Sequence, residues 1–284
     1  MLSYWIKTWI GKGRGMKAQA IVEHFLDRAP WVDRAHTVDR VVYGEAQADF
    51  DRCLVTWISS MRALHAAVAR GIRLVITHEP TFYNHLDELP TAGAGLEKVE
   101  YIRAHGLTII RNHDGWDRWP QLGMPWAWGR FLGFTTPPVC EGNKGYQHRY
   151  DMPPMRFGAF AREVARRCAA IGEPVVQAIG DDETPVSRIG VNTGCASDIA
   201  EFQSMGCDCA IVADDGSCYW SGLQRAADSG YPVIRVNHGT CEEPGMPLLA
   251  DYINANLAGL AAEHFPHGPI FHPVGTPPNQ PQKA

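Results

Sequence analysis

Residues 73–80 read RLVITHEP, a short apolar run that ends on His78 and Glu79. Short runs rich in β-branched side chains predict buried strands, and the proline at position 80 ends this one. Residues 107–117 (LTIIRNHDGWD) and 231–242 (YPVIRVNHGTCE) repeat the pattern of a strand followed by histidine and carboxylate. Open α/β sheets place their ligand crevice at the carboxyl ends of parallel strands, so we expect the three strand ends to converge on one site.

Histidines and acids at strand ends predict a metal site. Adjacent side chains at a strand end point in different directions, so His78 and Glu79 can serve two different ions rather than chelate one. The alternative for this dipeptide is a surface or hydrogen-bonded pair. At the other two strand ends a histidine is followed four residues later by an acid: His113 with Asp117, and His238 with Glu242.

From residue 16 onward the sequence alternates between helix and strand patterns. Apolar spacing and stop signals predict helices at 16–30, 59–71, 95–105, 160–171, 197–205, 223–229 and 247–260. Apolar runs predict strands at 53–57, 73–77, 107–112, 175–179, 187–193, 209–213 and 231–237. This alternation predicts an α/β protein of two related α/β lobes with mostly parallel sheets, with the metal site at the C-terminal strand ends between the lobes.

Composition shifts predict the domain boundaries. Residues 137–154 are rich in proline, glycine and polar side chains and are interpreted as a connecting segment. It separates a first lobe at 16–136 from a second lobe at 155–276, and residues 277–284 form a loose tail. The tryptophan- and proline-rich stretch at 116–128 is interpreted as a loop.

Residues 1–15 form an N-terminal extension with two interpretations. Apolar residues recur at helical spacing and are accompanied by Lys7, Lys12 and Arg14, with no acidic residue. This pattern suits a helix that lies on a membrane surface or docks on a partner. The simpler interpretation is an extension in front of the true domain start. The chain has no apolar run of about 18 residues, which excludes a transmembrane segment.

Composition also limits the classes of partner and compartment. The 284 residues are 45% hydrophobic and 20% charged, with a formal net charge of −5, so nothing indicates a nucleic-acid partner. The eight cysteines include no Cys-x-x-Cys pair and follow no secretory segment. They are interpreted as reduced, mostly buried thiols of a cytoplasmic protein.

The order and context of these segments resemble the dinuclear metal centre hexameric proteins, also described as type 2 homologues of GTP cyclohydrolase I or NGG-interacting-factor-like proteins. The resemblance covers about residues 16–266. The family's Thr-His-His-Pro is similar to residues 77–80 (THEP), its His-Thr-Asn-Leu-Asp to residues 113–117 (HDGWD), and its Gly-His-x-x-x-Glu to residues 237–242 (NHGTCE).

The resemblance implies two metal ions in a toroidal homo-hexamer whose sites face an internal cavity. The implied ligands match His78, Glu79, Asp117, His238 and Glu242. Glu79 stands where the family usually has a second histidine, and an expected acid-then-histidine pair is absent after residue 213. A ligand set with more oxygens and fewer imidazoles shifts the expected metal toward manganese or iron, with zinc still possible.

Two functions from different classes follow. The first is a metal-dependent hydrolase whose dinuclear centre activates water against a small molecule, at a C–N bond of a cyclic amide, amidine or nucleobase-like ring. The second is a non-catalytic metal-binding hexamer that regulates or handles metal. His113 and Glu243 are candidates for proton transfer; a histidine that only orients Asp117 is the alternative for His113.

Trp116 and Trp220 are candidates for the substrate pocket wall, and subunit packing is the alternative for Trp116. Cys241 lies between two proposed ligands and is interpreted as a packing residue rather than a nucleophile. Asp214 and Asp215 follow a strand and are interpreted as turn residues, with a place in the lining of the crevice as the alternative. Ser197 is interpreted as a helix cap rather than as part of an anion site.

Overall fold

A computed structural model of the protein describes residues 15–274. The predicted N-terminal helix and the tail at 277–284 lie outside the described residues. The elements of the first half are β1 (Met16–Lys17), α1 (Ala18–Leu26), β2 (Arg40–Tyr43), β3 (Asp49–Phe50), β4 (Arg52–Thr56), α2 (Met61–Ala69), β5 (Leu74–Thr77), α3 (Gly93–Ala104), β6 (Thr108–Arg111) and α4 (Asp114–Asp117).

The second half begins with a tryptophan-rich helix and continues in alternation. Its elements are α5 (Met124–Phe131), β7 (Cys140–Gly142), β8 (Gln147–Arg156), α6 (Phe157–Ala169), β9 (Gln177–Ile179), β10 (Pro185–Asn192), α7 (Ile199–Ser204), β11 (Cys209–Ala213), a π-helical turn (Tyr219–Leu223), α8 (Gln224–Ser229), β12 (Val233–Val236), α9 (His238–Glu242), α10 (Gly245–Asn256) and β13 (Ala261–His264). A 3₁₀ turn spans Asn143–Gly145.

The chain divides into two compact units. The first runs up to Gly115 and includes Leu249–Phe265, and the second comprises Trp116–Leu248 and the residues from Pro266. The lobe boundaries drawn from the sequence remain a prediction.

The first unit is built on a five-stranded sheet in the order β13-β4-β5-β6-β2. Strands β13, β4, β5 and β6 are parallel, and β2 pairs antiparallel with β6 at the edge. All four residues of β5 and all four of β6 are buried, as expected for strands covered on both faces. Leu54, Leu64, Ile102 and Ile109 lie at the centre of the core that joins this sheet to α2 and α3.

The second unit is built on a six-stranded sheet in the order β7-β8-β10-β11-β12-β9. The central strands β10, β11 and β12 are parallel, and antiparallel strands flank them on both sides. Trp128, Phe157, Val164 and Ile211 belong to its main core. The prediction of an α/β fold with mostly parallel strands is thus confirmed.

The sequence prediction is wrong for the loop at 116–128 and for the cap of α7, where the side chain of Asp198, not that of Ser197, accepts from the amides of Ala200 and Glu201. The second part of the predicted loop at 116–128 is the helix α5, which begins at Met124. Pro125 stands in its first turn, where a proline costs no hydrogen bond, so it starts this helix rather than breaking it.

Local signals explain other boundaries. The side chain of Ser60 accepts a hydrogen bond from the Ala63 amide (3.3 Å) and caps α2. Gly230 ends α8 in a left-handed conformation (φ 67°) that favours glycine. In the described part of the chain, no helix combines the length and the hydropathy needed to cross a membrane.

Candidate metal centre

Two histidines lie where adjacent parallel strands of the first unit end. The register pairs Thr77 at the end of β5 with Arg111 at the end of β6. His78 follows the first strand, and His113 follows the second after one intervening residue. Their rings stack with centroids 4.4 Å apart and an interplanar angle of 17°. The strand ends of this unit therefore bring the two imidazoles together, as the sequence predicts.

The hydrogen bond of the His78 ring fixes its tautomer. His78 is completely buried, and its Nδ1 lies 3.2 Å from the main-chain oxygen of Asn112. A carbonyl oxygen only accepts, so Nδ1 donates and carries the proton. Nε2 is then the nitrogen with a lone pair for a metal ion.

His113 is oriented in the same way by a carboxylate. Its Nδ1 lies 2.9 Å from Asp114 Oδ1, and its Nε2 lies 3.8 Å from Glu79 Oε1. Burial acts to raise the pKa of Asp114, but the bonds from His113 and Thr37 outweigh burial and hold this pKa well below its ordinary value. Asp114 is therefore a permanent anion that keeps the Nδ1 proton of His113 in place.

The Glu79 carboxylate faces a buried arginine as well as His113. The Arg111 side chain is completely buried, and its Nη2 lies 3.5 Å from Glu79 Oε2. Arg111 also donates to the main-chain oxygen of His78 (Nε, 3.1 Å) and pairs with Asp87 (Nη1 to Oδ2, 3.5 Å). One oxygen of Glu79 thus faces a guanidinium, while the other faces His113.

The second unit has a matching arrangement at the end of β12. His238 and Glu242 lie one turn apart on α9, with His238 Nε2 2.9 Å from Glu242 Oε2. His238 Nδ1 lies 2.8 Å from Asp215 Oδ2. Asp215, which the sequence suggested was a turn residue, therefore orients this imidazole.

His78 and His238 would bind a metal through Nε2, and the Nε2 of His113 faces Glu79. In each, an oxygen acceptor holds Nδ1, which is how metal-ligating histidines are usually fixed. The described residues include groups of histidine, aspartate and glutamate side chains able to hold a metal ion. Within the first unit, the members of these groups are His78, Glu79 and His113. The residues present thus fit a hard or borderline divalent ion.

Gly194 leaves room beside His238 and Glu242. It has φ +57°, and a Cβ at this position would lie 2.8 Å from Glu242 Oε1 and 3.2 Å from His238 Nε2. Any side chain here would occupy space next to both proposed ligands. The sequence indicated only a turn before a helix at this point.

We expect Gly194→Ala to weaken metal binding by about tenfold or more, because the new methyl group displaces the Glu242 carboxylate. Titration calorimetry with Mn²⁺ measures the change. Gly230→Ala is the matched control, since Gly230 has φ +67° and a Cβ there meets nothing within 4 Å. Equal losses in both variants would attribute the effect to backbone strain and contradict the prediction.

Two aspartates that the sequence did not single out as site residues hold the main chain at these strand ends. Asp39 is buried and accepts hydrogen bonds from the amides of His113 and Gly115, at 2.6 and 2.7 Å. In the second unit, Asp214 Oδ1 accepts from the His238 amide at 2.7 Å. Sequence spacing carries no signal for these bonds, because residues distant along the chain make them.

The other predicted site residues lie in varied surroundings. Asp117 ends α4 and is buried. Glu243 is buried and accepts from the His267 amide at 3.2 Å. Trp116 is completely buried and donates from Nε1 to the main-chain oxygen of Gly245 (3.2 Å), whereas Trp220 is 78% exposed.

The cysteines behave as the sequence indicates. All eight are free, and five are buried. Cys241 donates a hydrogen bond to the main-chain oxygen of His238, and burial raises the pKa of its thiol well above the ordinary value. A thiol that resists ionisation is a poor nucleophile, which agrees with a packing role.

Fold and donor groups together define the class: this is an α/β protein whose histidines and carboxylates fit a metal-binding function. The chain belongs to the Duf34/NIF3 (NGG1p interacting factor 3) family, whose model matches residues 16–267. The family suggested by the strand-end motifs is thereby confirmed.

Solved structures agree with this fold. The hypothetical protein SA1388 of Staphylococcus aureus is 18% identical with a TM-score of 0.73, over 92% of this chain and 100% of that one. A protein named ybgI, of unknown function, is 21% identical with a TM-score of 0.71, and the match covers 88% of this chain and 98% of that one. Reduced HcgD from Methanocaldococcus jannaschii is 16% identical with a TM-score of 0.64, and the match covers 88% of this chain and 97% of that one. Among curated proteins, none matches the sequence.

Proposed function

We propose that the protein is a hydrolase with a dinuclear metal centre, whose ligands are His78, Glu79, Asp117, His238 and Glu242. The observation that carries the proposal is the common orientation of the His78 and His238 imidazoles, whose Nδ1 atoms lie against oxygen acceptors, as in histidines that bind a metal through Nε2. Manganese, iron or zinc suits such a mixture of imidazole and carboxylate.

Divalent ions, when bound, supply Lewis acidity that activates water at neutral pH. His113 is the proposed proton-transfer residue, because Asp114 orients its ring through Nδ1 and its Nε2 faces Glu79. Glu243 is the second proposed proton-transfer residue, and the exposed Trp220 is proposed for the pocket wall, whereas the complete burial of Trp116 favours a packing role for that side chain.

The proposed substrate is a small molecule with a hydrolysable C–N bond in a cyclic amide, amidine or nucleobase-like ring. This substrate class rests on the family resemblance of the strand-end motifs. A shared fold fixes no substrate, so a screen must decide among such rings. We also propose, from the same resemblance, that the protein is a homo-hexamer and, from its scattered free thiols, that it is cytoplasmic.

A second candidate is a non-catalytic protein that handles or regulates metal. The burial of His78, Asp117 and Glu242 favours it, because buried ligands leave little access for a substrate. A saturated shell of protein ligands is typical of structural or storage sites rather than catalytic ones.

Elemental analysis of the purified protein tests whether the proposed dinuclear metal centre exists. We expect about two ions per chain in the wild type and a large loss in both Asp117→Ala and Glu242→Ala, because each variant removes a proposed ligand. Glu163→Ala is the control, since Glu163 pairs with Arg166 and Arg167 on the exposed face of α6. Absence of metal after loading with Mn²⁺, Fe²⁺ and Zn²⁺ would overturn the proposal.

A hydrolysis screen on the same variants separates the two candidates. Turnover of a cyclic amide, amidine or nucleobase that requires added metal, and is lost in Glu242→Ala, supports the hydrolase. Stoichiometric metal without turnover of any such ring, together with transfer of that metal to a chelator, supports metal handling instead.

A further inference from the structure

A single buried carboxylate fixes the main chain of the segment that carries His113. Asp39 Oδ1 accepts from the amides of His113 (2.6 Å) and Asp114 (2.9 Å), and its Oδ2 accepts from the amide of Gly115 (2.7 Å). Asp39 is only 4% exposed. Three consecutive amides therefore bind one side chain that no motif of the sequence assigns.

The register of the edge strand places Asp39 there. Strand β2 begins at Arg40, which lies opposite Arg111 at the end of β6 in the antiparallel pair. The residue before Arg40 therefore lies beside the residues that leave β6. A change of register would separate Asp39 from His113.

The contact is reciprocal, which makes the arrangement rigid. Asp114 Oδ2 accepts from the Thr37 hydroxyl at 2.8 Å, while Asp114 Oδ1 lies 2.9 Å from His113 Nδ1. The segment around Asp39 thus holds both the main chain of His113 and the carboxylate that orients its ring.

Gly115 allows the close approach of Asp39. A Cβ on Gly115 would lie 3.0 Å from Asp39 Oδ2, closer than most real contacts of a Cβ. Glycine at this position therefore provides space for the carboxylate that holds the segment.

We propose that Asp39 is a positioning residue for the metal centre, acting through the main chain of residues 113–115 on the His113 ring and on the helix that ends at Asp117. This inference rests on the proposed function, since it requires that the centre binds metal. Asp214 provides the same type of bond to the His238 amide in the second unit, which supports a positioning role for such carboxylates.

Titration with Co²⁺, followed by its visible absorption, tests the role because it reports both affinity and coordination geometry. We expect Asp39→Ala to weaken Co²⁺ binding by about 10- to 100-fold and to change the spectrum, as loss of a residue that orients a ligand does. Asp39→Asn keeps Oδ1 as an acceptor for two of the three amides. The Co²⁺ affinity of this variant should therefore lie between those of the wild type and Asp39→Ala.

The matched control is Asp208→Ala. Asp208 Oδ1 also accepts two main-chain bonds, from Ser187 (3.0 Å) and Arg188 (2.8 Å), on a segment that carries none of the proposed ligands. We expect this variant to keep the wild-type Co²⁺ affinity and spectrum.

The outcomes separate the two proposals. A wild-type protein that binds no Co²⁺ would overturn the metal centre and, with it, the role of Asp39. Wild-type binding with unchanged affinity and spectrum in the Asp39 variants would overturn the positioning role alone. If Asp39→Ala does not fold, Asp39→Asn decides, and a wild-type result in that variant rejects the proposal.

Discussion

Arg111→Met should destabilise the protein by about 3–5 kcal/mol, because it removes a buried cation and leaves one buried and one partly buried carboxylate behind. The Arg111 side chain has no exposed surface and lies 3.5 Å from both Glu79 Oε2 and Asp87 Oδ2. It also donates to the main-chain oxygens of His78 and His85, which would lose their donor. Urea unfolding at pH 7 measures the change in the free energy of unfolding.

A second substitution identifies the electrostatic part of this loss. Asp87→Asn removes one of the two carboxylates while its Oδ1 can still accept from the amides of Thr81 and Phe82. The double variant Arg111→Met with Asp87→Asn should therefore be more stable than Arg111→Met alone. Arg166→Met is the control, since Arg166 forms an exposed pair with Glu163 and should change stability by less than about 1 kcal/mol. Similar losses for Arg111→Met and Arg166→Met would contradict this account.

The strand-end histidines could be predicted because the information is local. A run such as residues 74–77 is apolar enough to specify a buried parallel strand, and the polar residues after it must leave the sheet at its carboxyl edge. The same logic located His113 after β6 and His238 after β12. The acids four residues after His113 and His238 were also predicted from local spacing.

The partners of these ligands could not be predicted, because strand register sets them. Asp39 reaches the His113 amide across 74 residues of sequence, through the antiparallel pairing of β2, a strand that the apolar pattern did not indicate. Arg111 looks like an ordinary strand residue in the sequence. Only the fold shows that it is buried against Glu79, at the position where this chain departs from the family pattern.

The buried histidine of the second sheet should make the protein sensitive to acid. His148 on β8 has no exposed surface, and its Nδ1 lies 3.2 Å from the Tyr150 hydroxyl. The Trp126 ring packs edge-on against it at 5.3 Å, and the facing acid is Glu141, whose Oε1 lies 3.9 Å from Nε2. Burial lowers the pKa of His148 to about 4, from an ordinary value of 6.5, and the Gly145 main chain opposes this only in part. The folded protein therefore keeps this ring neutral under conditions in which the unfolded chain protonates it.

Because the unfolded state binds the extra proton between pH 6.5 and 4, His148 should lower stability progressively as the pH falls through this range, by about 3 kcal/mol in total, and should have no effect above it. His148→Gln keeps a polar side chain without a titrating group. The stability of the variant relative to the wild type should therefore rise as the pH is lowered. Urea midpoints at pH 4.5, 5.5, 6.5 and 7.5 measure this shift, with the exposed His36→Gln as the control. Parallel pH profiles for wild type and His148→Gln would show that protonation of His148 does not contribute to acid unfolding. A profile that flattens only in His148→Gln would attribute the acid sensitivity to this ring, whose burial beside Trp126 follows from the position of β8 in the sheet.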